Sequence, residues 1–467
     1  MNSLRLSLLA VVVALVSACS TPFCNAPGGL CAPGQANTSP PPPAAPPAQQ
    51  TGLPKPPPEP PLPPAQTFSI AMPGAAGVAD ADDSQPALAP APAHRVDEGA
   101  MPSNTPIRIG LLLPTRSETL GAAAVALRAG FMAAWERDRD NITVTALDTG
   151  DVPQDILSTY AKALQSQDLV VGPLSRAAVT TVAGSPLVSK PTIVLNYPEG
   201  HGQPGAAPLP DNILVIGLSI EEEARQAAQW AAAEHPGQSA LVLTTGTAWQ
   251  RRVAAAFTGQ WQRLGQQVRM VELGAPDGYL SDPELVQLRA RLRLDRPGLL
   301  FSAMSADQTR QLRGALGSAL TTEPTNPVFS TADALPPSPA APTEQFSGLP
   351  IYGTSALNPG GSGSFASQDL DGVRLLDLPW QIQRDHPAVM VYPHQVQAGS
   401  ADMERLYALG IDAYRVAREI GRHPSGRFHL DGVTGKLTVD FGRGPASFER
   451  IEPTAIYTNG VPRAVTQ

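Results

Sequence analysis

Proline is concentrated in one segment of the chain and divides the sequence into a part that cannot fold and a part that can. Of the 51 prolines, 22 lie in the 86 residues from Ser20 to Thr105, where apolar residues show almost no periodicity. Such a segment buries too little apolar surface to offset the entropy lost on folding. The 362 residues from Pro106 to Gln467 are long enough for about two lobes. We therefore predict a disordered segment followed by a two-lobed globular part.

The amino terminus has the pattern of a bacterial secretion signal. Arg5 precedes an apolar run, Leu6–Val16, that is interrupted by Ser7 alone. The run is short against the ~20 residues of a spanning helix. Small residues in Val16-Ser-Ala-Cys19 form a lipobox, so we predict a signal peptide over residues 1–18 and lipid attachment at Cys19. The alternative is an ordinary signal peptide that happens to precede a cysteine.

The residues after Cys19 refine this prediction. Ser20 stands where Asp retains lipoproteins in the inner membrane, so similarity to Gram-negative lipoproteins favours the outer membrane. Cys24 and Cys31 form either a small disulfide loop or a free pair. The 436 residues after Cys31 contain no cysteine, which excludes cysteine-ligated zinc and thiol catalysis from the globular part.

Residues 19–105 are predicted to act as a tether. Pro40–Pro64 holds 14 prolines in 25 residues. Polyproline II conformation at about 3.1 Å per residue would make this piece about 80 Å long. The tether would hold the globular part far from its membrane; a docking site for a proline-binding module is the rival interpretation.

The charge distribution argues against nucleic acid as a partner. The chain has 33 Lys and Arg against 41 Asp and Glu, a net charge of −8, and no dense basic block. A surface that neutralises phosphates would need one.

The globular part alternates between strand and helix patterns. In the first half, strands are predicted at 107–114, 142–147, 168–171 and 192–195, with helices at 120–138, 156–165 and 176–187 between and after them. Continuous apolar runs are typical of buried parallel strands. The fold class is therefore α/β, with each lobe a parallel sheet flanked by helices.

The second half repeats the pattern. Strands are predicted at 213–216, 240–244, 298–302 and 372–376, and a long amphipathic helix at 403–421. Capping boxes are predicted at Ser219, Ser281 and Ser305. We predict a first lobe of about 106–216 plus about 377–430 and a second lobe of about 217–376, with the C-terminal strands shared.

The sequence shows no catalytic motif. It lacks a dinucleotide-binding Gly-x-Gly-x-x-Gly after a strand, a Gly-x-Ser-x-Gly nucleophile elbow and a histidine pair at helical metal spacing. We expect no cofactor and no metal. Glu221–Glu223 is interpreted as the acidic first turn of a helix, and Asp377–Trp380 as hinge packing rather than a ligand contact. Trp249, Phe257 and Trp261 are interpreted as core.

The order of strands and helices predicts which residues line the cleft between the lobes. Ligands of parallel α/β sheets meet the carboxyl ends of the strands. The residues at those ends are Pro114, Thr115, Asp148, Gly172, Asn196, Ser219, Thr245 and Ser302.

Several strings resemble a known family. Ile109-Gly-Leu-Leu-Leu-Pro114 and Asp168-Leu-Val-Val-Gly-Pro173 are similar to type I periplasmic solute-binding proteins. Other strings resemble the carboxy-terminal domain of LpoA-type lipoproteins: Leu195-Asn-Tyr-Pro-Glu199, Gly217-Leu-Ser219 with Glu223-Ala-Arg-Gln-Ala-Ala228, Asp377-Leu-Pro-Trp380, Arg405-Leu-Tyr-Ala-Leu-Gly-Ile-Asp-Ala413 and Gly432-Val-Thr-Gly-Lys-Leu437. The resemblance covers about residues 107–463. It implies a type I periplasmic-binding-protein-like fold.

The resemblance also implies a function. Members of that family are outer-membrane lipoproteins that stimulate class A penicillin-binding proteins in peptidoglycan synthesis. The chain departs from the longer family pattern because the proline-rich tether stands where a helical-repeat domain is expected. The hypothesis is a non-enzymatic lipoprotein that activates such a synthase. The alternatives are a periplasmic receptor for an amino acid or small amide, and a structural protein that tethers the cell wall.

Overall fold

The computed structural model describes residues 105–202, 205–317, 348–360, 365–394 and 400–465. The predicted signal peptide, Cys19, Cys24, Cys31 and the tether lie outside these residues. Within them, two sheets with parallel strands and flanking helices confirm the α/β two-lobed fold.

None of the helices in the described ranges combines the length and the hydropathy that a membrane-crossing segment requires.

The first lobe is a five-stranded parallel sheet between two helical layers. Its elements are β1 (Ile107–Leu113), α1 (Gly121–Arg137), β2 (Ile142–Asp148), α2 (Pro153–Ser166), β3 (Leu169–Val171), α3 (Arg176–Ala183), β4 (Thr192–Val194) and β5 (Ile213–Val215), with strand order β2-β1-β3-β4-β5. Successive side chains of β1 enter opposite cores: Leu111 packs with α1, and Leu112 packs with α2. Burial on both faces explains the uninterrupted apolar run of this strand.

The second lobe repeats this layering. Its elements begin with α4 (Ile220–Glu234), β6 (Ala240–Thr245), α5 (Ala248–Arg263), β7 (Val268–Leu273), α6 (Asp282–Asp295), β8 (Leu299–Ser302), α7 (Ala306–Gly317), β9 (Ile351–Gly353) and β10 (Arg374–Leu376). Leu243 and Leu300 face the core under α6 and α7, and Val242 and Phe301 face the core under α4 and α5.

The chain then returns to the first lobe and finally re-enters the second lobe. The returning elements are α8 (Pro379–Ile382), α9 (Pro387–Met390), α10 (Ala401–Arg422) and the antiparallel strands β11 (Gly426–Asp431), β12 (Lys436–Phe441) and β13 (Ser447–Ile451). Apolar residues of α10 and β12 join the core of the first lobe. The final strands, β14 (Thr454–Thr458) and β15 (Val461–Ala464), extend the second sheet, with β14 antiparallel to β10. The described chain thus passes between the lobes three times.

Two glycines bring α1 and α10 into backbone contact. A Cβ on Gly130 would lie 1.9 Å from the Tyr407 carbonyl oxygen, and a Cβ on Gly410 would lie 2.0 Å from the Leu127 carbonyl oxygen. Phe131 and Tyr414 pack edge to face beside this contact, with ring centroids 5.4 Å apart. A late helix is therefore built into an early lobe through close packing that any side chain at either glycine would separate.

Several local predictions need correction. The capping box at Ser305 forms with both of its hydrogen bonds. At Ser219 only the hydroxyl half forms, since Ser219 accepts from the Glu222 N–H while the Glu222 carboxylate accepts from Arg225. Ser281 makes no side-chain cap, and the Glu284 carboxylate accepts from the Gly274 N–H at 2.5 Å. Helix α3 ends at Ala183, earlier than Leu187. Strand β7 was not predicted, since it lies at a sheet edge and most of its side chains face solvent.

We predict that Gly410→Ala lowers the free energy of unfolding by about 3 kcal/mol, because the added methyl group must push α1 away from α10. Urea unfolding followed by circular dichroism measures this change. Gly259→Ala is the matched control: Gly259 lies within α5 with open space at its Cβ, so the variant should gain up to about 1 kcal/mol. Equal stability of Gly410→Ala and the wild type would contradict the close helix contact.

Candidate functional site

An ion pair between Arg405 and Asp377 lies at the junction of the two lobes. Asp377 follows β10, and Arg405 lies in the first turns of α10. The guanidinium donates twice to the carboxylate, from Nη2 to Oδ2 at 2.8 Å and from Nε to Oδ1 at 3.0 Å. Both residues are buried. Burial would lower the pKa of Arg405, but the charge of Asp377 and these hydrogen bonds raise it above its ordinary value.

Arg405 makes three further hydrogen bonds. Nη2 donates to the carbonyl oxygens of Ser355 at 3.1 Å and Asn358 at 2.8 Å, and Nη1 donates to Asp402 at 2.8 Å. The Asn358 amide in turn donates to Asp377 at 2.8 Å. One side chain of the first lobe thereby fixes the turn that follows β9 in the second lobe.

Glu223 extends this junction to α4. Its buried carboxylate accepts from the Ser355 backbone N–H at 2.7 Å and from the Ser355 hydroxyl at 3.0 Å. Burial raises the pKa of Glu223 to about 7, against the lowering effect of the two hydrogen bonds. From the sequence, Glu223 is interpreted together with Glu221 and Glu222 as part of the acidic first turn of a helix, but its carboxylate is buried. Its spacing of four and eight residues from the buried Ala227 and Ala231 was the signal that it faces inward.

A second set of hydrogen bonds lies where the chain passes from β5 to α4 and where β13 ends. Asp412 of α10 accepts from the backbone N–H groups of Val433 at 3.2 Å and Thr434 at 2.8 Å. Arg450 donates to Thr434 Oγ1 at 3.1 Å and to the carbonyl oxygens of Ile216 at 2.8 Å and Gly217 at 3.0 Å. The β5–α4 crossing is thus tied to the turn between β11 and β12.

The interlobe groove is lined in part by Arg405. We use this name for the cavity of about 380 Å³ at the amino end of α10, whose lining includes Trp249, Ser305, Ser355, Asn358, Pro359 and Arg405. Trp249, interpreted from the sequence as core, packs against the core and also borders this groove, whereas Phe257 and Trp261 are fully buried. The Arg405 side chain in its lining is paired with the carboxylates of Asp377 and Asp402.

The eight cleft candidates mostly bond within their own lobe. Thr115 donates to Asp148 at 2.7 Å, Ser219 accepts from the Glu222 N–H at 3.2 Å, and the Asn196 side chain accepts from the Tyr197 N–H at 2.9 Å. Thr245 bonds to Gln250, and Ser302 shares a hydrogen bond of 2.7 Å with Thr309. Pro114 and Gly172 are buried. The structure brings Thr115 and Asp148 together and leaves the others with separate partners.

The charged groups of the junction bond to one another and to nearby carbonyl oxygens. The guanidinium that could receive a ligand's carboxylate is engaged by Asp377, Asp402 and two carbonyl oxygens. Within the described residues, no three His, Cys, Asp or Glu side chains come together as a metal site.

We predict that Arg405→Leu lowers the free energy of unfolding by about 4 kcal/mol, because Asp377 would remain buried without its counter-ion. Chemical denaturation measures the change. Asp402→Asn, which alters the exposed partner of the same guanidinium, should cost less than about 0.5 kcal/mol. Similar losses in both variants would show that the buried pair has no special role.

Comparisons with known proteins agree with this fold. The solved structure of the LpoA C-domain from Haemophilus influenzae, described as a regulator of PBP1A, is 22% identical and superposes with a TM-score of 0.57 over 77% of this chain and all of that one. A Chromobacterium violaceum structure described as a "putative branched-chain amino acid ABC transporter" is 31% identical, with a TM-score of 0.57 over 75% of this chain and all of that one.

Eight curated relatives share the name "Penicillin-binding protein activator LpoA". The "Penicillin-binding protein activator LpoA" of Enterobacter sp. is 28% identical over 309 residues, which cover 62% of this chain and 40% of the relative. Across the first relatives the chain spans 40–55% of their length. The family model described as "LppC putative lipoprotein" matches residues 84–443. The chain therefore belongs to the LppC lipoprotein family.

Proposed function

We propose that this protein is a lipoprotein on the periplasmic face of the outer membrane that binds a class A penicillin-binding protein and activates it in peptidoglycan synthesis. In this proposal it acts by contact and catalyses no reaction. The observation that carries the proposal is the family match over residues 84–443, together with relatives whose printed name is penicillin-binding protein activator.

The structure supports a binding role that does not depend on a small ligand. The lobes are joined by Arg405, Glu223 and Arg450, whose charged groups bond within the protein. A solute receptor instead leaves polar groups free in its cleft, to be satisfied by its ligand. The two lobes thus form a preassembled body whose outer surfaces can meet another protein.

A receptor for an amino acid or small amide is the second candidate. The Chromobacterium violaceum neighbour, with its transporter description, favours it. The committed donors of Arg405 count against it, since a ligand carboxylate would have to displace Asp377 or a carbonyl oxygen.

In this proposal, the residues before the described part of the chain attach the protein to the membrane and hold it at a distance. Residues 1–18 would direct export, Cys19 would carry the acyl chains, and residues 19–105 would span the distance from the membrane, about 80 Å of it in Pro40–Pro64. The two-lobed part would comprise a first lobe of about 106–216 plus 377–430 and a second lobe of about 217–376.

The activation proposal predicts a faster synthase. Purified full-length chain should bind at least one class A penicillin-binding protein of its organism and raise that enzyme's rate of glycan polymerisation from lipid-linked precursor. A solute-binding protein of the same fold, with no activator relative, is the control. Absence of both binding and rate change across the organism's whole class A set would eliminate the proposal; a thermal shift with an amino acid would instead support the receptor.

The anchor proposal predicts that Cys19→Ala abolishes labelling by radioactive palmitate and moves the protein from the outer-membrane fraction to the soluble periplasmic fraction, because the acylated thiol is lost. Cys24→Ala is the matched control and should keep both the label and the membrane location. Wild-type protein that is unlabelled and freely soluble would contradict lipid attachment.

A further inference from the structure

An open groove lies at one edge of the second sheet, between β7 and α6. It has a volume of about 560 Å³ and shares no lining residue with the interlobe groove. Strand β7 contributes residues 269–271 to its lining. The lining residues from α6 are Gln287, Ala290, Arg291, Leu294 and Asp295. We call it the edge groove.

One side of the edge groove is the free edge of a strand. β7 is the last strand of the second sheet, and no strand of the described residues pairs with its outer side. The Gln267 carbonyl oxygen, just before β7, accepts from the Ala240 N–H of β6 at 2.9 Å. Because the backbone groups of alternate residues point to opposite sides of a strand, those of Val268, Met270 and Glu272 point away from β6. β7 therefore presents a row of backbone donors and acceptors for which the described residues supply no strand partner.

Apolar side chains border this edge and are exposed to solvent. Leu294 is 84% exposed and Met270 is 56% exposed, and both line the edge groove. Val286, Ala290 and Leu294 follow one another at four-residue spacing along the exposed side of α6, whose other side packs its leucines into the core. Exposed apolar groups that lie together are typical of protein contact surfaces.

The charged side chains of β7 are already paired. Arg269 forms an ion pair with Asp295 of α6. Arg251 of α5 donates to the Glu272 carboxylate from Nη2 at 2.7 Å and from Nε at 2.9 Å. Each pair has no net charge, so these four side chains do not decide whether a partner is acidic or basic.

The remaining charge at the edge groove is positive. Arg291 lines the groove and Arg293 lies one turn after Ala290, and neither forms an ion pair with a described residue. Of the other acidic residues of α6, Asp282 lies in the first turn, at the opposite end of the helix, and Glu284 accepts from a backbone N–H just after β7. A partner that is complementary to these arginines carries acidic groups.

An open strand edge beside a helix suits one mode of recognition. An extended peptide can pair with the edge as an additional strand, while its side chains contact the helix. Main-chain hydrogen bonds to Met270 would supply affinity, and contacts with Leu294 and Arg291 would supply selectivity. A second copy of this chain fits less well, because pairing two β7 edges would bring the arginines of both copies together.

We propose that the edge groove binds an extended, acidic segment of a partner protein, which joins the second sheet as a strand beside β7. The groove belongs to the second lobe alone, and the proposal is independent of the activation proposed above.

A library of random linear peptides displayed on phage and selected against the full-length chain tests the chemistry of this partner. We expect the enriched peptides to alternate apolar residues with Asp or Glu, as an added strand with one face toward α6 requires. Synthetic copies of these peptides should slow hydrogen exchange at the Met270 and Glu272 N–H groups, because these groups become bonded. Enrichment of basic or helical peptides, or of no peptide, would overturn the proposal.

Hydrogen exchange without peptide identifies other occupants of the edge. Slow exchange at the Met270 and Glu272 N–H groups in the protein alone would show that the chain covers its own edge. Protection that appears only as the protein concentration rises would show that a second copy covers it. Either result would overturn the proposal.

A charge reversal locates the acidic contact. Arg291→Glu should weaken binding of an acidic peptide about tenfold, because an attraction is replaced by a repulsion of similar size. Arg427→Glu is the matched control, since it makes the same change of charge at an exposed residue of β11 outside the groove lining. Equal peptide affinity in the two variants would refute the proposal.

Two further variants locate the added strand. Met270→Pro removes an outward N–H group and leaves the pairing with β6 possible, so it should also weaken peptide binding about tenfold. Leu294→Gln removes an exposed apolar contact without changing the backbone and should weaken binding as well. A melting temperature equal to that of the wild type shows that a variant is folded. Wild-type peptide affinity in either folded variant would refute pairing at this edge.

Discussion

The buried pair of Arg405 and Asp377 is the interaction on which the arrangement of the two lobes depends. It joins a residue after the second sheet to a helix packed in the first lobe. A buried ion pair adds little stability by itself, since desolvation of both charges opposes their attraction. What it fixes is geometry: a guanidinium with every arm engaged permits few other positions of the lobes. We infer that the pair selects one arrangement rather than strengthening the fold in general.

Several sequence strings that resemble LpoA-type lipoproteins take part in the hydrogen bonds at the lobe junction. Asp377-Leu-Pro-Trp380 and the string that begins at Arg405 meet through the ion pair, and Asp412 of the latter string holds the turn Gly432–Gly435. Gly217 receives a hydrogen bond from Arg450 and lies too close to Asn196 for any side chain. The strings that resemble LpoA-type lipoproteins therefore describe how the lobes are joined.

Much of the architecture could be predicted from apolar periodicity, and much of the polar network could not. The continuous apolar residues of β1 and β3 and the apolar face of α10 predict burial from the sequence alone. Strand β7 carries exposed charged residues and has no such apolar pattern. Glu223 meets Ser355 across 132 residues of chain, a distance over which no local pattern carries information. Thr245 and Ser302 lie at strand ends, as the sequence predicts, but no sequence pattern reveals that Gln250 and Thr309 satisfy their hydroxyl groups. The cleft candidates accordingly stay predictions.

The threefold passage of the chain between lobes constrains how the protein acquires its fold. The first lobe lacks a principal part of its core until α10 has emerged, and the second sheet lacks an edge until β14 and β15 follow. Completion of each lobe thus requires contacts between residues far apart in sequence, and such contacts slow folding. Residues 401–464, the last part of the described chain, must therefore be present before either lobe is complete.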